Sequence, residues 1–254
     1  MSLHVEVTGH GEPLVMLHGW GMHGGIWGDT ATRLAQDFEV HRVDLPGHGA
    51  SGPLEAFTLD AVVEQLAAHC DQPVTLLGWS LGGIIAQHWA ARAPQQISRL
   101  VLVASTPCFA ERADWQFGMP RATLEQFAAE LEKNHAATLR RFLALQVRGS
   151  EGERELLGIL REQLFSRGEP HLHALRGGLD ILRDADLRDV SRDIGQATLV
   201  IAGARDKLTP PQASSYLAQT MPNTRMVEIE GAAHAPFLSH PEIFLERVKS
   251  FLHE

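Results

Sequence analysis

Gly78-Trp79-Ser80-Leu81-Gly82 sets a serine between glycines placed two residues before and two residues after it. A hydroxyl attacks a carbonyl only when it projects from the backbone and a base takes its proton. A sharp strand-to-helix turn supplies the projection, and small residues flanking the serine let strand and helix close around that turn. Ser80 is therefore the candidate nucleophile. The oxyanion formed by attack needs preorganised N–H donors. Leu81, the residue after the nucleophile, supplies one, and Trp20 in His18-Gly19-Trp20-Gly21 supplies the other. His18 is expected to orient that loop rather than carry protons. In the order serine, acid, histidine, Asp206 of Gly203-Ala204-Arg205-Asp206 is the candidate acid. Of the 14 histidines, His234 in Gly231-Ala232-Ala233-His234 is the candidate base. His240 is expected to cap the last helix and His48 to be structural. His171 and His173 form a pair without further ligands, so no metal site is expected.

These residues need a scaffold that brings three distant loops together. Short β-branched runs at 3–8, 15–17, 40–43, 74–77, 100–104, 199–202 and 226–229 read as strands. Helical patterns fall at 59–69, 81–93, after Pro210-Pro211, and 241–252. The alternation predicts an α/β protein with a mostly parallel sheet flanked by helices. Ser80, Asp206 and His234 each follow a strand, where parallel sheets hold their ligand sites. Between 109 and 194 only helical patterns occur. Leu124, Phe127, Leu131, Thr138, Phe142 and Leu145 keep helical spacing, as one long helix or two abutting ones, with further helices at 153–164 and 171–182. The expected organisation is a core of residues 1–108 and 195–254 with an all-helical cap, 109–194, inserted over the site.

The 254 residues, 44% apolar, suffice for one sizeable core. A net charge of −9 disfavours nucleic acid and anionic membranes as main partners. Residues 1–7 have no basic region followed by an apolar run, and no segment has the ~20 apolar residues of a membrane span, so a cytoplasmic location is expected. A monomer is the expected state. Cys70 and Cys108 are too few for a disulfide framework and read as free thiols.

Over its whole length the chain resembles the α/β-hydrolase superfamily. Further segments narrow the resemblance. They are Cys108-Phe109 with Trp115, Phe142-Leu143-Ala144-Leu145-Gln146, the run from Gly177-Gly178 to Leu182, and the run from Ala232-Ala233-His234 to Pro241. With Gly78-Trp79-Ser80-Leu81-Gly82-Gly83 they are similar to the family of pimeloyl-[acyl-carrier protein] methyl ester esterases of biotin synthesis. The resemblance implies hydrolysis of the methyl ester of pimeloyl-acyl carrier protein to the free acid and methanol, without a cofactor. It implies substrate contacts at Trp20, Ser80, Leu81, Phe142, Leu143, Ala144, Leu145, Gln146 and His234. The implied partner is an acidic carrier protein bearing a phosphopantetheine arm. Residues 134–150 contain Arg140, Arg141 and Arg148 and no acid, and Arg154 follows, so these four are candidate docking residues. Ala137 and Gly158 depart from the arginines that the resemblance leads one to expect.

Two alternatives share the same residues. One is a small-molecule carboxylesterase or carbon–carbon bond hydrolase, since caps set substrate choice. The other is a non-catalytic ligand receptor built on this fold. An aspartate-nucleophile enzyme is disfavoured by serine at position 80.

Overall fold

A computed structural model describes residues 2–254. Seven strands form one sheet: β1 (His4–Thr8), β2 (Pro13–Leu17), β3 (Glu39–Asp44), β4 (Val74–Trp79), β5 (Ile97–Val103), β6 (Ala197–Gly203) and β7 (Thr224–Ile229). Their order is β1-β3-β2-β4-β5-β6-β7. Only β1 is antiparallel to its neighbour. The central strands β2 and β4 are buried at every residue, as apolar runs covered on both faces require.

Helices α1 (Gly28–Leu34), α2 (Leu59–Ala67), α3 (Leu81–Arg92) and α8 (Pro211–Thr220) connect the parallel strands, and α10 (Pro241–Leu252) closes the chain. Right-handed crossovers put α1 on one face and α2, α3 and α8 on the other, because β2-to-β3 runs opposite to the remaining steps. That reversal makes the boundary between β2 and β4 the topological switch point, where such sheets bind ligands.

Between β5 and β6 the chain forms α4 (Arg121–Lys133), α5 (His135–Val147), α6 (Glu153–Leu164) and α7 (Leu172–Asp184). This insert lies across the carboxyl ends of the strands: His171 N–H bonds the Gly47 carbonyl and His234 N–H bonds that of Gln146. Its apolar stripes, including Leu124, Phe127, Leu139, Phe142, Leu160 and Leu175, belong to the same buried cluster as the sheet residues. Of the two arrangements left open for 121–147, two helices form. Asn134 breaks the run, and its side chain accepts the N–H of Ala137 at 3.0 Å, capping α5. Helix α1 and the four-residue α9 (Pro236–Ser239) were not expected from the pattern. Both are too short to show a periodicity. His240 begins α10 by position, but its side chain makes no cap bond. It reaches Ser239 instead, which corrects the capping role expected for it.

Asn134→Ala removes the only side-chain cap in the α4–α5 junction. It is expected to cost about 1 kcal/mol, read as a lower urea midpoint at unchanged m-value.

Candidate active site

Ser80 lies between β4 and α3 with φ 55° and ψ −118°. For a residue with a Cβ this region is strained. The glycines around it are required by close approach. A Cβ on Gly78 would stand 2.4 Å from the Gly82 carbonyl oxygen, and one on Gly82 would stand 2.4 Å from that of Leu17. The elbow thus packs β4 and α3 backbone against backbone and rests against the end of β2.

The structure brings the three candidate residues into one hydrogen-bonded line. His234 Nε2 is 2.9 Å from Ser80 Oγ, and His234 Nδ1 is 2.8 Å from Asp206 Oδ2. Asp206, in the turn after β6, also accepts the N–H groups of Leu208 (2.8 Å) and Thr209 (3.1 Å) and the Thr209 hydroxyl (2.8 Å). The carboxylate is thereby fixed with Oδ2 toward the imidazole. His234, between β7 and α9, is held at its carbonyl by Trp79 Nε1 (2.7 Å). Ser80 is 4% exposed, Asp206 2% and His234 0%, so all three are shielded from solvent.

The turn after β2 carries the second oxyanion candidate. Among the described residues the backbone N–H groups of Trp20 and Leu81 have no protein acceptor. His18 orients this turn. The Leu45 N–H donates to its Nε2 at 2.9 Å, so Nδ1 carries the proton and donates to the Gly19 carbonyl at 2.8 Å. Burial, then the neighbouring His48, hold its pKa well below the ordinary histidine value. His48 is likewise buried, and desolvation pushes it down to about 4. Neither can act as a base with both ring nitrogens committed or desolvated in this way.

The cap residues divide. Phe142 packs edge-on against Trp20 (4.9 Å between ring centroids) and Phe127 (5.8 Å). The Trp20 indole N–H donates to the Leu175 carbonyl of α7 at 2.9 Å. Gly178 is needed beneath it, because a Cβ there would stand 2.6 Å from the indole. Leu143 is buried, and Gln146 is buried with its side-chain carbonyl unpartnered. Ala144 and Leu145 are half-buried. Leu145 lines a groove of about 550 Å³ with Met119, Pro120, Leu208, Arg148 and Lys207. Arg140 stacks on Phe165, whereas Arg141 is committed to Glu130 and to the Phe127 ring. Arg154 is exposed on α6. The sequence reading missed Thr209, which braces the acid, and Lys207, which shares a groove with Arg148. Only their adjacency to Asp206 could have signalled either. Among the described residues no group of three metal-ligating side chains occurs, and no helix is long and apolar enough to cross a membrane.

His48 generates a pH prediction. Its folded pKa of about 4 lies below the unfolded value of 6.5, so between those values the unfolded chain binds the extra proton. Stability is full above pH 6.5 and falls as pH drops toward 4, by about 3 kcal/mol for this one group. Denaturant unfolding of His48→Leu across that range is expected to show a shallower decline than the parent.

A profile of the α/β hydrolase fold family matches residues 12–241. Over 245 residues the chain is 45% identical to a Nitrosomonas europaea protein named pimeloyl-[acyl-carrier protein] methyl ester esterase, covering 96% of this chain and 97% of that one. A Chromobacterium violaceum protein of the same name is 45% identical over 252 residues, covering 99% and 98%. Among solved structures, the esterase EaEST from Exiguobacterium antarcticum superposes with a TM-score of 0.89 at 23% identity, over 99% of this chain and 96% of that one, a likeness of fold. A hydrolase from Pseudomonas aeruginosa PA01 superposes with a TM-score of 0.83 at 28% identity, over 99% and 94%. The chain belongs to the α/β-hydrolase family and, within it, to the family of these two relatives, which are carboxylic ester hydrolases.

Proposed function

We propose that this esterase hydrolyses the methyl ester of pimeloyl-acyl carrier protein by a serine acyl-enzyme route, the biotin-synthesis reaction. The observation that carries the chemistry is the unbroken line Ser80–His234–Asp206 at 2.9 and 2.8 Å. The relatives' names supply the acyl group and the carrier.

His234 Nε2 takes the Ser80 proton as Oγ attacks the ester carbonyl. Asp206, acceptor-only and held by three donors besides His234, keeps the His234 proton on Nδ1 and stabilises the imidazolium. The Trp20 and Leu81 N–H groups receive the oxyanion. The tetrahedral intermediate collapses, and His234 returns the proton to the departing methoxide, giving methanol and an ester on Ser80. Water, deprotonated by His234, then attacks that ester. The free carboxylate leaves and Ser80 regains its proton. Trp20, Phe142, Leu143, Ala144, Leu145 and Gln146 form the wall along which a seven-carbon chain runs. This is consistent with the apolar packing of Phe142 on Trp20.

For the carrier, Arg140, Arg148 and Arg154 are the better docking candidates. Each lacks an ion-pair partner among the described residues, whereas Arg141 already pairs with Glu130. Arg148 and Lys207 give the groove beside Leu145 a positive rim with no acid in its lining, on a chain of net charge −9. A local reversal of charge of this kind suits an acidic partner.

Ser80→Ala is expected to lower methanol release from the carrier methyl ester at least ~10³-fold while leaving the fold intact. Turnover of p-nitrophenyl acetate with none of the carrier ester would instead support a general carboxylesterase. Arg148→Glu is expected to raise KM for the carrier ester severalfold at low salt, an effect that added salt erases, and to leave p-nitrophenyl acetate hydrolysis as it was.

A further inference from the structure

The cap meets the loops of the acid and base at a turn that the proposed chemistry does not use. Helix α5 ends at Val147, and carbonyls in the last turn of a helix lack partners within it. The Gln146 carbonyl accepts the backbone N–H of His234 at 3.0 Å. Five residues on, the Glu151 N–H donates to the Gly231 carbonyl at 2.9 Å. Between these bonds Arg205 Nη1 donates to the Gly149 carbonyl at 3.3 Å. The Glu151 carboxylate lies 3.5 Å from Arg205 Nη2 and 3.7 Å from His240 Nε2. Gly231, at φ +79°, leaves room for it, since a Cβ there would stand 2.6 Å from the carboxylate. Arg205 precedes Asp206, and its own N–H donates to the Ala232 carbonyl at 2.8 Å. One cap turn, 146–151, therefore touches both the stretch that carries His234 and the stretch that carries Asp206.

We propose that this turn is a positioning element for the base. It fixes the backbone of His234 from the cap side, as Trp79 fixes it from the core side. The inference rests on the reading of Ser80, His234 and Asp206 as the reacting line. His234 is fully buried, so while the cap is in place its N–H depends on the Gln146 carbonyl for a partner. A buried donor left without a partner is unfavourable enough to make the loop relax. The imidazole then shifts relative to Ser80 and Asp206, and a displacement of ~1 Å at a reacting group costs up to ~10²-fold in rate. The exposed Glu151 ion pairs contribute little by themselves. The two main-chain bonds carry the effect.

Two variants break the second bond in different ways. Glu151→Pro removes the donor to Gly231. A glycine inserted after Gly149, whose Cβ position faces open space, shifts Glu151 out of register and leaves α5 in place. The assays are p-nitrophenyl acetate turnover, carrier-ester turnover and the rate at which a fluorophosphonate labels Ser80. Both variants are expected to lose ten- to about a hundredfold in kcat on both esters and in labelling rate, with KM within about twofold. The acid limb of kcat/KM on the small ester moves to lower pH, because an imidazolium less well aligned with Asp206 is less stabilised. Glu151→Ala, which keeps the N–H, loses less than Glu151→Pro. If either variant folds and keeps the parent kcat and acid limb, or raises KM at unchanged kcat, the turn does not position the base. An unmodified enzyme that neither labels nor turns over the small ester sinks the reading of the reacting line, and this inference with it.

Discussion

Ser80 occupies a backbone conformation that a residue with a Cβ adopts at a cost of ~1–3 kcal/mol. That cost is met by the surrounding sheet. The Ser80 N–H donates to the Val103 carbonyl at 3.0 Å, extending the β4–β5 ladder through the strained residue. Its own carbonyl accepts from Gly83 N (2.9 Å), Ile84 N (3.2 Å) and the Ser105 hydroxyl (3.0 Å). The backbone polar groups of Ser80 are thus satisfied by β5, by Ser105 just after it and by the first turn of α3, and relaxing the turn would forfeit several bonds together. The requirement spreads outward. Glycine at 78 and 82, a short approach to Leu17, and a fully buried β2 and β4 follow from the need to over-determine one residue.

The polar ties between cap and core fall on the same loops that surround Ser80. Trp20 bonds α7 through its indole, and His234 bonds α5 through its N–H. On the far side His23 Nε2 donates to the Gln163 carbonyl at 2.7 Å, its Nδ1 already accepting the Gly25 N–H. Arg167, after α6, bonds Glu6 at 2.9 Å and lies 3.4 Å from the buried Asp44. Asp44 in turn holds the N–H groups of Gly24 and Ala50. The cap therefore shares a continuous apolar core with the sheet and also completes the hydrogen bonding of loops that are irregular and buried. Such loops cannot leave backbone groups unpaired, and a bare sheet edge would not supply the partners.

What the sequence made legible follows the strength of the local constraint. Ser80, Asp206 and His234 stand one, three and five residues past the ends of β4, β6 and β7, and the glycine-flanked serine together with chain order assigned them to loops that the structure brings within hydrogen-bond distance. Long amphipathic segments such as 153–164 and 241–252 were readable because several turns repeat the same stripe. The α4–α5 break turned on one residue, Asn134, whose capping value competes with helical spacing that continues across it. Gly178 looked like a motif letter, and its reason emerges only when Trp20 is seen lying over it. Thr209, Lys207 and the carbonyl of Gln146 act through tertiary approach, and a carbonyl carries no sequence signal. The N-terminal position of His240 on α10 is legible, but the partners that draw its side chain away from capping, the Ser239 hydroxyl at 2.9 Å and the Glu151 carboxylate at 3.7 Å, are set by the fold.

The histidines show how a site is selected by environment when the residue type is abundant. His18, His23 and His234 are all buried and all hydrogen-bonded at both ring nitrogens. In His18 and His23 one nitrogen accepts a backbone N–H that has no alternative partner, so protonating the ring would break that bond and leave two donors facing each other. Burial reinforces this, lowering both pKa values. His234 differs in its partners. Its Nδ1 faces a carboxylate that a second proton on the ring would strengthen, and its Nε2 faces a hydroxyl that can give its proton up. Of the three, only His234 has its ring between a carboxylate and a hydroxyl, and its partners come from the turn after β4, the turn after β6 and the cap turn together.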